Sequence, residues 1–93
     1  MDIIHRSKIR EFLNSHPEAT TTLSLWNKII SVGEWKDLQN LCLTYPGVKQ
    51  VFNDTVFNVG NGSYLIVTRI DYKNQKLFVR KILGCEDYDQ EKW

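Results

Sequence analysis

Cysteine, proline and methionine are scarce in this chain, which holds two, two and one of them in 93 residues. Cys42 and Cys85 lie far apart and follow no secretory leader, which argues for a reduced compartment rather than a disulfide framework. The opening residues, Met1-Asp-Ile-Ile-His-Arg6, carry charge at once and do not read as a signal peptide. No window approaches the roughly 18 apolar residues that a membrane span needs. Together these absences point to a soluble, cytoplasmic chain. His5, His16, Cys42 and Cys85 show none of the usual ligand spacings, so neither a metal nor another cofactor is expected. Gly60-Asn61-Gly62 joins strand to strand and is therefore no phosphate-cradling loop. Both histidines fall in the N-terminal helical half, which leaves a Ser-His-Asp or Cys-His arrangement without support, and Cys85 is a lone thiol.

What is present is enough for one domain, since 42% hydrophobic content builds a modest core at this length. The net charge of +1 argues against a general nucleic-acid binder, but the charges are unevenly spread. Residues 1–47 hold five basic and five acidic side chains. Residues 48–83 hold six basic (Lys49, Arg69, Lys73, Lys76, Arg80, Lys81) and two acidic (Asp54, Asp71), and the last ten residues hold one basic and four acidic. A basic sheet beside an acidic tail can present a local positive patch on a near-neutral protein.

Taken in order, the β-branched pair in Asp2–His5 suggests a short first strand. Ser7 is a suitable N-cap for a helix carrying Ile9, Phe12 and Leu13, which His16-Pro17 stops. A second helix, roughly Glu18 to Val32, places Ala19, Leu23, Trp26 and Ile30 on one stripe, widened by Leu25 and Ile29. Gly33 reads as its C′ glycine. Asp37 can cap a third helix with Leu38, Leu41, Cys42 and Tyr45 on one side, ended by Tyr45-Pro46-Gly47. Trp26 and Trp35 read as core anchors. Val48–Phe52 is a short strand and Asn53-Asp54 a turn into the sheet. Helices followed by strands indicate an α+β fold with helices covering one sheet face.

Three further strands follow, Thr55–Gly60, Ser63–Asp71 and Lys76–Leu83, and a terminal turn or helix completes the chain. Asn61-Gly62 is the strongest two-residue hairpin signal, because both residues tolerate a positive φ. It pairs Val59 with Tyr64, Asn58 with Leu65 and Val56 with Val67. An even-length loop at Tyr72-Lys73-Asn74-Gln75 then separates two faces. Phe57, Val59, Tyr64, Ile66, Thr68, Ile70, Leu77, Val79 and Leu83 form the core face. Val56, Asn58, Leu65, Val67, Arg69, Phe78, Arg80 and Ile82 form the other. Arg69 and Arg80 on neighbouring strands can clamp a phosphate, and their fixed charge suits a developing phosphorane. Phe78 between them can stack on a base of single-stranded RNA. The plainer reading of this face is a solvated strand surface. Tyr88, Asp89 and Lys92 add a phenol, a carboxylate and an amine after the last strand.

These segments resemble the HigB family of toxins, in the RelE-like group. The likeness is carried by Val56-Phe-Asn-Val-Gly60, Tyr64-Leu-Ile-Val67, Arg69-Ile-Asp-Tyr72, Gln75-Lys-Leu-Phe-Val-Arg80 and Asp87-Tyr-Asp89. In the N-terminal half Lys8-Ile-Arg-Glu-Phe12, His16-Pro17, Trp26 and Trp35-Lys36 add to it, so it spans essentially the whole chain as a single domain, residues 1–93. The resemblance implies a RelE-like fold, with an N-terminal strand and helices packed on one face of a mainly antiparallel sheet. It implies a toxin of a type II toxin–antitoxin module that inhibits translation as a ribosome-dependent mRNA endoribonuclease, without a metal. On the matching positions Arg80 would stabilise transition-state charge and Arg69 position the backbone. Tyr88, Asp89 or Lys92 would then move protons, and on the basic sheet Asn58, Lys76, Phe78 and Lys81 are the residues expected to bind RNA. The implied partners are a helix-turn-helix antitoxin of the HigA type, in a 2:2 assembly that alone touches operator DNA, and mRNA on the ribosome. The chain departs from the family at three places. Relatives commonly have Gly-Gly-Asn where Gly60-Asn61-Gly62 stands, often an arginine at Leu65, and Thr-His at Gly84-Cys85. The alternative is therefore a weakened homologue that binds antitoxin or ribosome without efficient cleavage.

Overall fold

Apolar side chains at helical spacing in the N-terminal half and at alternate positions in the C-terminal half close onto one another along a single seam. The computed structural model describes residues 1–60 and 63–84. The elements are β1 (Asp2–Ile4), α1 (Ser7–Ser15), a 3-10 turn (Pro17–Ala19), α2 (Thr20–Val32), α3 (Leu38–Thr44), β2 (Lys49–Val51), β3 (Asp54–Val59), β4 (Tyr64–Asp71) and β5 (Lys76–Gly84). The sheet order is β1-β5-β4-β3-β2, with β1 parallel to β5 and every other pair antiparallel. Ile9, Leu23, Trp26, Ile30 and Leu41 from the helices meet Phe57, Val59, Ile66, Leu77 and Val79 from the sheet. This is the α+β architecture expected, with helices on one sheet face. Trp26 is the largest side chain at its centre and meets the Phe57 ring edge-on, centroids 5.4 Å apart. Trp35 is buried in the same core cluster.

The turns that hold the sheet in register are built partly as the sequence suggests. Val59 pairs with Tyr64, Asn58 with Leu65 and Val56 with Val67, although Asn61-Gly62 itself lies outside the described residues. The terminal turn or helix expected after β5 also lies outside them. Tyr72 to Gln75 bridge Asp71 and Lys76, an even loop, so Arg69 shares a face with Phe78 as anticipated, and the two pair. Asp71 closes that loop by accepting from the Asn74 backbone at 3.2 Å and the Asn74 amide at 2.8 Å. Gln75 takes a left-handed φ of 54° and donates to the carbonyls of Trp35 (2.6 Å) and Tyr72 (2.7 Å). These bonds compensate for the absence of glycine in the loop.

Several boundaries differ from the sequence reading. Ser7 begins α1 and does not cap it; Arg6 occupies the cap without a side-chain bond. The second helix starts at Thr20, after the 3-10 turn, because Pro17 seeds a tight first turn and Thr20 bonds back to its carbonyl at 2.6 Å. Gly33 is extended (φ −88°, ψ 162°) rather than left-handed. Glycine is required there because the Trp35 indole lies where a Cβ would stand. Asp37 does cap α3, accepting from the Asn40 N–H at 2.8 Å.

The largest correction concerns β5. Strict alternation places Leu83 in the core and Ile82 on the opposite face. The structure reverses them, because the ladder slips between Val67 and Thr68. Val67 pairs with Lys81 and Thr68 with Val79, which leaves Arg80 as the extra residue of a β-bulge. Beyond it Ile82 packs on the core, while Leu83 pairs with Leu65 on the other face. Without the bulge Lys81 would point into the core beside Leu77 and Val79, at a cost no buried partner offsets. Instead it shares a face with Val67.

Candidate guanidinium site

Three neighbouring strands bring charge together at one end of the second sheet face. Asp54 opens β3, Arg69 follows the β4 slip, and Arg80 sits on the β5 bulge. Asp54 was expected in a turn after a strand ending at Phe52. In fact β2 ends at Val51, Phe52 and Asn53 form the turn, and Val51 pairs with Asp54. That pairing aims the Asp54 carboxylate across the sheet. Arg80 Nη1 donates to both of its oxygens at 3.0 Å, and Arg69 Nη2 approaches Oδ1 at 3.5 Å. Asp54, Val67, Arg80 and Lys81 line a pocket of about 310 Å³.

The bulge is what makes this possible. It sets the successive residues Arg80 and Lys81 against one pocket, where regular alternation would send them to opposite faces. Its backbone is anchored from the helical layer, with Lys8 Nζ donating to the Arg80 carbonyl at 2.9 Å. Arg69, Arg80 and Lys81 gather around the Asp54 carboxylate. Planar guanidiniums donate to a carboxylate and to a phosphate in similar geometry, so groups that hold the Asp54 carboxylate can also hold an anionic phosphate.

The other expected RNA contacts are spread along the same face. Phe78 is half-buried and lies 6.2 Å from the His5 ring, between centroids. Asn58 is exposed, four residues along β3 from Asp54, or roughly 13 Å at strand rise. Lys76 is exposed opposite Asp71, a similar ~13 Å along β5 from Arg80. Arg69, Arg80 and Lys81 are thus brought together; Asn58 and Lys76 are not. Leu65 is half-buried and pairs with Asn58 and Leu83. Tyr88, Asp89, Lys92 and Cys85 lie outside the described residues.

Asp54 is the residue that sequence reasoning missed. Its signal was present: it is one of only two acidic residues in the basic segment 48–83. A family model described as "HigB_toxin, RelE-like toxic component of a toxin-antitoxin system" matches residues 19–91. The chain belongs to this toxin family. No curated protein matches it. Membership makes the chain the toxic component of a toxin–antitoxin pair and implies an antitoxin partner. The match covers α2, α3 and strands β2 to β5, and so includes every residue of the guanidinium pocket. Among the described residues of this toxin, no helix is long and apolar enough to cross a membrane.

Proposed function

We propose that this toxin is a ribosome-dependent endoribonuclease that cleaves translated mRNA and thereby arrests translation. The observation supporting it is the approach of Arg69 and Arg80 to one carboxylate, with Lys81 on the same pocket. Groups held to grip one anionic oxygen pair can grip a phosphodiester. In the reaction a base removes the proton of the RNA 2′-hydroxyl, whose oxygen attacks the adjacent phosphorus. The bond to the 5′-oxygen breaks and that oxygen takes up a proton. The products are a 2′,3′-cyclic phosphate and a 5′-hydroxyl. Arg80 stabilises the extra negative charge of the phosphorane, and Arg69 positions the strand. Tyr88, Asp89 and Lys92 are the proposed proton carriers, each worth about 10²–10⁴-fold. This chemistry uses no metal or other cofactor.

The partner proposed for this toxin is a HigA-type helix-turn-helix antitoxin in a 2:2 heterotetramer that binds operator DNA through the antitoxin. The site of action is the cytoplasm, in one domain spanning residues 1–93. Purified toxin added to a translating extract tests the proposal. It should release fragments with 5′-hydroxyl ends only when ribosomes are present. Intact message in that extract would refute it.

Leu65 favours a second reading, because it sets an apolar side chain against Leu83 on the face that would hold RNA. On that reading the toxin keeps antitoxin or ribosome binding but cleaves poorly. Combining Leu65→Arg with Cys85→His separates the two: a large gain of cleavage from an inert parent supports the weakened form.

A further inference from the structure

Phe52 is the most exposed large hydrophobic side chain among the described residues, at 88%. Among the described residues it is also one of three non-glycine residues with a positive φ, at 55°. It occupies the first turn position between paired Val51 and Asp54, where a left-handed backbone ordinarily calls for glycine or asparagine. A bulky aromatic there is strained, and such strain persists only when its surroundings enforce it. Here they do. Gln50 Nε2 donates to the Phe52 carbonyl at 2.8 Å, and Gln50 Oε1 accepts from Thr55 Oγ1 at 2.9 Å, so the tip is tied across both strands.

We propose that Phe52 is a nucleobase-stacking residue beside the guanidinium pocket. The inference rests on the RNA-binding part of the function proposed above. Phe52 lies two residues from Asp54, which puts their Cα atoms within about 7.6 Å. A ring carried on a tied turn, two residues from the carboxylate that both arginines approach, matches the two halves of a nucleotide. The cations take the phosphate and the ring takes a neighbouring base. Aromatic platforms beside basic grooves hold single-stranded nucleic acid in this way, with little sequence preference. Phe78, expected from the sequence to stack, is half-buried against His5 and offers less free face.

The test measures binding of a labelled single-stranded 2′-O-methyl RNA hexamer, which lacks the reacting hydroxyl, at low ionic strength. Phe52→Gly should weaken binding by roughly 5- to 100-fold. Because glycine relieves the strained φ, the same variant should keep its Tm or gain up to about 5 °C. Phe52→Tyr should bind as the parent does. An abasic hexamer should bind parent and Phe52→Gly alike, which isolates the base contribution from the phosphate. Equal hexamer binding by parent and Phe52→Gly overturns the inference, as does failure of the parent to bind the hexamer. Loss of antitoxin affinity with RNA affinity unchanged overturns it too, and assigns the ring to a protein interface. Cleavage of translated message by the same parent preparation keeps the nuclease reading intact in each of those cases.

Discussion

Replacing Asp54 with asparagine keeps the shape of the site and removes the carboxylate charge between its arginines. The guanidiniums are about half exposed, at 53% for Arg69 and 50% for Arg80, and the Asp54 side chain is 20% exposed. Such pairs are screened by solvent, and each is worth about 0.2–1 kcal/mol. The Arg69 contact, at 3.5 Å, belongs at the weak end of that range. An incoming phosphate must displace the carboxylate, so Asp54→Asn should tighten RNA binding by about 2- to 10-fold. The substitution makes the site more positive by one charge. The slope of log K against log salt for single-stranded RNA should therefore steepen by up to about 0.7. Fluorescence anisotropy with the non-cleavable hexamer, titrated from low to moderate salt, reads both quantities. Weaker binding at every salt concentration would refute the reasoning, and would mean that Asp54 aligns the arginines rather than competing for them.

Other predictions concern the frame that carries the site. Trp26→Ala should cost about 3–5 kcal/mol, since it empties the space beside Phe57, and urea denaturation would show it; a loss below about 1 kcal/mol contradicts the central role of that ring. Gly33→Ala should cost about 1–3 kcal/mol by thermal denaturation, because its methyl group meets the Trp35 indole; an unchanged Tm contradicts that account. The Asn74 side chain and then its backbone N–H hold the Asp71 carboxyl below its ordinary range. Its contribution to stability is complete above the ordinary carboxylate pKa and is lost as pH falls toward the depressed folded value. Urea midpoints measured down the acid range should fall less steeply in Asp71→Asn than in the parent, and identical profiles would exclude this turn from the acid response.

The sequence disclosed the architecture because its strongest signals are local. Asn61-Gly62 implied the β3–β4 register, and the even loop before Lys76 implied that Arg69 and Phe78 share a face, both as observed. The stripe through Leu23, Trp26 and Ile30 announced the buried side of α2. Illegible features depend on partners distant in sequence. No glycine or turn residue marks the bulge at Arg80, so alternation continued across it and exchanged Ile82 with Leu83. The Phe52 turn is held by Gln50 and Thr55 against the preference of its own residue. Asp54 looked like a turn residue until β3 extended to include it. Gly33 matched a helix stop, yet it is glycine because of Trp35, two positions on. The site was thus half visible: its arginines could be read, whereas the bulge and carboxylate that organise them could not.

The most direct test compares the parent chain with Arg80→Ala in growing cells, each induced without antitoxin, by primer extension on an abundant translated message. The account predicts codon-boundary cuts with the parent and none with Arg80→Ala at equal levels of folded protein. Equal cutting by both chains would contradict the assignment of Arg80, and a message left intact by the parent would contradict the nuclease itself.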